Sequence, residues 1–369
     1  MNASTVLGPI AGEALGVVLP HEHVFFDLRP RFSAPPGVPA ALTDEPVQLS
    51  NLSWVRYHQR NNRDNLHLSE VDLLSAELAE FRDAAAELTW GSRDAAVGPA
   101  RYGDAGSTAV GTVVDLSPQC AGRDVGKLVK VAKATGLNVI AGTGYYVEEF
   151  QSAATRAATV DELAAVMVAE LTTGIGETGV RAGIIGEIGC SWPLADSERR
   201  VLRAAAVAQQ ATGAAISVHP GRDGAAPFEI AAILAQSGAD LSRVVMGHID
   251  RTLRDHDEMA RVGDLGVMLE FDLFGQESSH IRYGPVDLPT DLQRLRDMAA
   301  LAARGYGPQL LASHDIALKH HLSAYGGPGY AHLITRVLPR FAEAGLSSAD
   351  ATAIFRENPA RILSLPGGR

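Results

Sequence analysis

His21-Glu22-His23 follows the apolar run Leu15 to Pro20. Side chains at i and i+2 leave the same face of an extended strand, whereas on a helix they diverge. A strand ending in His-x-His can therefore grip one metal ion from one side. So short a pattern gains weight only if other strand ends bring matching ligands, and they do. GIIGEIG carries Glu187, ISVHPG carries His219, VVMGHID carries His248, and LLASHD carries His314 and Asp315.

Each of these has an ordinary explanation alone. A single His after a strand is usually a satisfied polar residue, Glu187 could be a structural carboxylate, and Asp315 could cap a helix. Together they are harder to explain that way, because several charges gathered without counter-ions are costly. A metal ion removes that cost, and imidazole plus carboxylate ligands suit zinc or a similar divalent ion. The six residues exceed the needs of one tetrahedral ion. They divide into His21, His23 and Asp315 for one metal and His219 and His248 for the other, with Glu187 as the bridge. Two ions about 3.5–4 Å apart can hold a bridging hydroxide, because metal binding lowers the pKa of water. His314 should point to the opposite side of its strand from Asp315 and is left off the ligand set.

Such ligands need a scaffold that gathers distant strand ends. Eight short runs rich in Val, Ile and Leu recur, at Gly16–His23, Val110–Ser117, Asn138–Tyr146, Ala182–Cys190, Ala215–Pro220, Arg243–Asp250, Gly266–Phe274 and Gln309–Asp315. Their hydrophobicity is continuous rather than alternating, as in parallel strands buried on both faces. Helical patterns lie between them. The first, Ser69–Glu87, opens on Ser-x-x-Asp, which resembles a capping box, and carries a stripe of Leu73, Leu74, Leu78 and Phe81. The last is Ser347–Leu363. This rhythm predicts an α/β fold, one (β/α)8 TIM barrel domain over residues 1–369, with the strand ends converging on one mouth. No G-x-G-x-x-G sits at a strand–helix junction to support a doubly wound sheet.

Residues 29–67, Pro-rich at their start, are expected to form a long lid-like loop after strand 1, and residues 89–106 a surface insertion. The Gly-rich run Ala324–Gly329 reads as a mobile loop rather than a phosphate cradle, since neither a lysine nor a helix-opening pattern follows it.

The bulk numbers exclude several classes. The chain has 369 residues, 46% hydrophobic and 20% charged, ordinary values for a globular protein. A net charge of −11 argues against nucleic acid or an anionic membrane surface as partner. No apolar run approaches the length of a membrane-spanning helix. The first residues lack a basic start and a long apolar stretch, so no secretory signal is expected. Cys120 and Cys190 form neither a C-x-x-C nor a disulfide framework. A reducing cytoplasm is the expected location.

HEH, GIIGEIG, VHPGR, GHID and SHD, together with TVVD, GRDV (Arg123, Asp124), GTGYY and the final NPARIL, carry a resemblance through nearly the whole chain. The sequence resembles the phosphotriesterase-related proteins of the amidohydrolase superfamily. The resemblance implies a (β/α)8 barrel with a binuclear metal centre, usually zinc. Such centres hydrolyse esters, lactones, phosphotriesters or amides. It places the family's ligands on the same six residues. Many relatives bridge the metals with a carboxylated lysine on strand 4; here Glu187 stands there, as in the phosphotriesterase-related subgroup. The shorter carboxylate requires metals or strand to sit closer and places phosphotriester cleavage behind other reactions. The resemblance also favours a homodimer.

The mechanism expected from these residues is attack by the bridging hydroxide on a carbonyl or phosphoryl centre of a small-molecule substrate. Asp315 is the expected catalytic residue, accepting the nucleophile's proton and passing it to the leaving group. Tyr146 and Arg251 are expected to contact substrate, and Asp250 either to support the site or to form a salt bridge. Arg123, Cys190, Trp192, Phe274 and Tyr283 are pocket-lining candidates, while His320 and His321 read as loop residues. Lactone or carboxylic ester cleavage leads, N-acyl amide cleavage is close behind, and phosphotriester cleavage is third. A non-catalytic protein that retains its metals is the alternative from another class, and it gives Asp315 no reason to be present.

Overall fold

The computed structural model describes residues 1–88, 111–277 and 287–365. Within them, eight parallel strands follow one another in sequence order around a single sheet: β1 (Val18–Glu22), β2 (Thr112–Asp115), β3 (Asn138–Thr143), β4 (Ile184–Gly189), β5 (Ile216–His219), β6 (Val244–Met246), β7 (Met268–Phe271) and β8 (Leu310–Ala312). Helices α1 (Val71–Ala86), α2 (Val125–Thr135), α3 (Val160–Thr172), α4 (Asp196–Thr212), α5 (Ala226–Gln236), α6 (His256–Gly263) and α7 (Asp291–Leu301), with a final helical run over 348–363, follow the strands. The (β/α)8 barrel expected from the repeating pattern is the fold observed.

Alternation within each strand explains why the strands read as continuously apolar. Val18, Val114, Ile140, Ile184, Val245, Met268 and Leu311 form one buried layer, together with Ala3 of an N-terminal hairpin and Ile362 and Leu363 of the last helix. Leu19, Val113, Val139, Ile185 and Leu269 belong to a second cluster shared with the helices, including Leu74, Leu78 and Phe81 of α1. Both faces are buried, so neither face selects polar residues.

One carboxylate makes most of the hydrogen bonds that close β8 onto β1. Asp315 N donates to His21 O at 3.2 Å, and His21 N to Ser313 Oγ at 3.0 Å. Glu22 then accepts from Ser313 Oγ (2.8 Å), His314 N (3.0 Å), His314 Nδ1 (2.7 Å) and Ile316 N (3.1 Å). Leu333 N donates to His314 Nε2 at 3.0 Å, which puts the His314 proton on Nδ1, where Glu22 takes it. Glu22 and His314 are thus structural partners.

The segment after β1 is more structured than a plain loop. Phe26–Asp27 pairs antiparallel with His67–Leu68, and helices Ala40–Asp44 and Leu49–Tyr57 lie between. Lys319 Nζ reaches Asp64 at 2.7 Å and Glu70 at 2.6 Å. That engagement also explains why α1 begins at Val71 with Glu70 at its cap position and no side-chain cap, instead of the expected Ser69 start. The expected mobility of Ala324–Gly329 is likewise not what the contacts describe. Buried Glu77 of α1 accepts from Ser323 N and Ala324 N, each at 2.8 Å, and Gly327 and Gly329 donate their amides to Leu322 O and His321 O. Residues 89–106 and Tyr283 lie outside the described residues. Among the described residues, no helix is long and apolar enough to cross a membrane.

Candidate metal centre

Glu187 lies at the centre of the barrel mouth. Its Oε1 is 2.9 Å from His219 Nδ1, 3.0 Å from His248 Nε2 and 3.2 Å from His21 Nε2. Its Oε2 is 3.9 Å from His23 Nε2, and Asp315 Oδ1 lies 3.2 Å from the same nitrogen. The structure therefore brings all six expected ligands together from five strands. The backbone is shaped to aim them. His248 (φ 51°) and Asp315 (φ 50°) are the non-glycine residues with positive φ among those described. Such conformations cost roughly 1–3 kcal/mol each and concentrate at functional sites. Just before Glu187, a Cβ on Gly186 would stand 2.7 Å from Ser217 O, so only glycine lets β4 run this close to β5.

The donor set fits divalent metal ions. His21 Nε2 and Glu187 Oε2 are buried and make no hydrogen bond, an arrangement that costs about 1–3 kcal/mol per group unless something else satisfies it. The tautomers point the same way. Ser117 Oγ donates to Asp115 at 2.8 Å, so it must accept from His23 Nδ1 at 3.1 Å, leaving His23 Nε2 as the free lone pair. Carboxylates likewise take the Nδ1 protons of His21 and His248, leaving their Nε2 atoms facing Glu187. The donor atoms of His21, His23 and Glu187, and those of Glu187, His219 and His248, each lie within 4.8 Å of one another. Each group could hold one ion, and the two share Glu187.

Those Nδ1 partners come from β7 and the residue after it, a strand whose sequence offers no histidine. Asp272 Oδ1 accepts from His248 Nδ1 (2.7 Å), and its Oδ2 accepts from His248 N (2.9 Å) and lies 3.0 Å from His21 Nδ1. Glu270 Oε2 lies 2.9 Å from His21 Nδ1. Met268, Glu270 and Asp272 alternate along one face, rising from the apolar layer to the site. Two acids at i and i+2 in an apolar strand, LEFD, were the available signal. His21, His248 and Asp272 also form a compact donor group. The Nδ1 hydrogen-bond distances favour Asp272 as a partner that orients both rings rather than as a ligand.

The electrostatics follow from burial against charge. Burial opposes ionising Asp272, but His248 and His21 hold its carboxyl below the usual range. Burial also opposes the His248 cation, yet Asp272 and Glu187 raise it to about 9. Burial pushes Glu270 up to about 7, and Asp272 adds to the rise. For His219 burial prevails over Glu187, and His248 and Arg251 help keep the ring neutral.

A cleft opens above this cluster. Phe26, Leu28, Leu66 and Leu273 line it, as do Arg31, Arg60, Arg222 and Arg251. Of the two expected substrate contacts, Tyr146 places its hydroxyl 3.4 Å from His219 Nδ1, and Arg251 places Nη2 3.1 Å from His219 Nε2. Asp315 faces the cleft with 20% of its side chain exposed. Asp250 turns away and pairs with buried Arg294 at 2.7 Å. Four pocket-lining expectations are corrected. Arg123 binds Glu170 and Gly142 O, satisfying its guanidinium away from the cleft. Cys190 and Phe274 are packed in the core, and Trp192 lies partly exposed outside the cleft lining. His321, expected in a loop off the site, is buried and lines the cleft, because the turn Lys319–His321 folds it back.

Comparison with known proteins agrees with this geometry. The profile of the phosphotriesterase family matches residues 1–363. N-acetyltaurine hydrolase of Rattus norvegicus is 39% identical over 98% of each chain. A resiniferatoxin-binding protein from Rhodobacter sphaeroides superposes with a TM-score of 0.87 at 32% identity, over 98% of this chain and 95% of that one. The phosphotriesterase homology protein from Escherichia coli, solved with phosphate in its active site, superposes with a TM-score of 0.73 at 29% identity, over 95% and 99% of the two chains. With the barrel, the imidazole–carboxylate cluster at its mouth and a match over almost its whole length, the chain belongs to the phosphotriesterase family.

Proposed function

We propose that this hydrolase cleaves an N-acyl amide of a small amine, using two divalent ions, with zinc the first to test. The sequence alone placed lactone and ester cleavage slightly ahead. The N-acetyltaurine hydrolase relative, matched over 98% of both chains, supports the amide instead. The structural observation that carries this reading is Asp315. It is the cluster's partly exposed carboxylate, facing the cleft and 3.2 Å from His23 Nε2. An amide nitrogen must be protonated before it can leave, whereas an ester or lactone oxygen departs more readily. A carboxylate that accepts a proton and returns it to the leaving atom serves the harder case.

The ions, held by His21, His23 and Asp315 and by His219 and His248 with Glu187 shared, would polarise the carbonyl and lower the pKa of a water. The protein supplies the rest. Burial, with Glu187 nearby, raises the Tyr146 hydroxyl far above an ordinary phenol, so it remains a hydrogen-bond donor toward a substrate oxygen. The apolar wall of Phe26, Leu66 and Leu273 excludes water from the acyl group.

Purified protein loaded with zinc, cobalt or manganese tests the reading on N-acetyl amino acids and N-acetyltaurine beside lactones, aryl esters and phosphotriesters. The largest kcat/KM is expected for an N-acyl amide. A larger value for lactones returns the assignment to lactonase, and no turnover on any class leaves a binding protein. Asp315→Asn, assayed for both metal content and turnover, is expected to slow amide cleavage about 10²–10⁴-fold. Full turnover with metal retained removes Asp315 from proton transfer.

A further inference from the structure

The cleft is cationic in an acidic protein. Four arginines, Arg31, Arg60, Arg222 and Arg251, line it against one carboxylate, Asp315, while the chain carries a net charge of −11. Arg251 is the most telling of the four. It is only 3% exposed, and among the described residues its side-chain hydrogen bonds go to His219 and Pro220 O and to no carboxylate. Its Nη1 is buried without a hydrogen-bond partner, and its Nη2 contacts only His219 Nε2 at 3.1 Å and Pro220 O at 3.4 Å. Asp272, Asp315 and Glu187 offset its charge from a distance, but none pairs with it directly, so a buried guanidinium is left with donors that an incoming anion could take. The His219 contact is weaker still in a working site. A neutral imidazole accepts at one nitrogen only. If Nδ1 serves a metal beside Glu187, Nε2 carries the proton and Arg251 loses that acceptor.

Arg31 closes the other side. It comes from the long segment after β1, stands 5.6 Å above the Tyr146 ring and 5.4 Å from that of Phe150, and is tethered to Glu149 at 3.0 Å. Tyr146 in turn reaches His219, the neighbour of Arg251. Tyr146 thus lies against one guanidinium group and against the histidine that the other touches, which puts both beside the cluster.

We infer that Arg251 and Arg31 form an anion subsite that binds a sulfonate or carboxylate on the amine half of the substrate. This deepens the N-acyl amide reading and rests on it for the reaction but not for the binding. Guanidinium groups suit both anions, since planar N–H forks pair with paired oxygens.

The test compares N-acetyltaurine, N-acetyl-β-alanine and neutral N-acetylethanolamine on the metal-loaded enzyme, with taurine binding measured separately by calorimetry. The neutral amide is expected to lose ~10- to 100-fold in kcat/KM, mostly through KM, for want of charge-assisted hydrogen bonds. Arg251→Gln and Arg31→Gln are expected to remove that preference and the taurine heat while metal content stays unchanged. Because Arg251 touches His219, Arg31→Gln keeps the test decisive if the first variant loses metal. If the three amides are cleaved equally well, the subsite is wrong and the amide reading stands. If no amide is cleaved, but taurine binds and Arg31→Gln abolishes binding, the amide reading falls and the subsite stands.

Discussion

Asp272→Ala is the most revealing single change, because one carboxylate serves two imidazoles that belong to different halves of the cluster. Asp272 receives His248 Nδ1 at 2.7 Å and His248 N at 2.9 Å, and lies 3.0 Å from His21 Nδ1. Alanine removes both acceptor oxygens, the one that takes His248 Nδ1 and the one that faces His248 N and His21 Nδ1. Losing the outer partner of a ligating histidine costs about 10–100-fold in metal affinity. Here the loss should appear at both ions, since His21 sits with His23 and Glu187 while His248 sits with His219 and Glu187. Two charge-assisted hydrogen bonds at about 1.5–3 kcal/mol each are lost as well, so stability without metal should fall by at least about 3 kcal/mol. Metal retained after dialysis against graded chelator, together with urea unfolding of the stripped protein, measures both effects. Two ions retained at chelator levels that just spare the wild type would refute the shared-partner argument. Weakening of one ion alone would show that Glu270, 2.9 Å from His21 Nδ1, suffices for the other half.

Three further outcomes follow from the same contacts. Glu22→Ala leaves the β8–β1 seam with unpaired donors from Ser313, His314 and Ile316, and a loss of roughly 3–5 kcal/mol is expected in urea unfolding; an unchanged midpoint would show that the seam does not depend on this carboxylate. Glu187→Ala removes the oxygen within 3.2 Å of His21, His219 and His248, and metal analysis should show at least one ion lost; two ions per chain would end the bridging role. Burial holds His321 down to about 4. The unfolded chain takes up that proton near pH 6.5, so the contribution is present above about 6.5 and lost as pH falls toward 4, worth about 3 kcal/mol. Asp115, raised to about 6 by burial, acts in the opposite sense over an overlapping range, so the comparison is between wild type and His321→Gln at pH 7 and 4.5. Parallel curves for the two proteins would remove His321 as the cause.

Each barrel strand was legible because its pattern is local. A short Val- and Ile-rich run bounded by turn residues needs no knowledge of its neighbours, and eight of them between helices leave few ways to close a sheet. The candidate ligands were legible for the same reason: His21, His23, Glu187, His219, His248 and Asp315 all lie at or just past strand ends. Asp250 and Arg251 show where local reading stops. They are adjacent, yet the short helix Ile249–Thr252 sends one to Arg294 and the other to the cleft. His321 has the local pattern of a loop residue, and nothing near it in sequence reveals that its turn folds back over the mouth.

The sequence by itself determined the number of strands and the residue types at the mouth, and hence a set of candidate metal ligands in a hydrolase barrel, because periodicity and ligand chemistry belong to single segments. Only the tertiary structure decided which groups answer one another across the barrel. It set Asp272 against two histidines from other strands, used Glu22 to close the seam, and left Arg251 buried without a carboxylate. Pairings of that kind depend on which side chains face inward at one height of a closed sheet. Curvature and register set that height, and no single strand contains them.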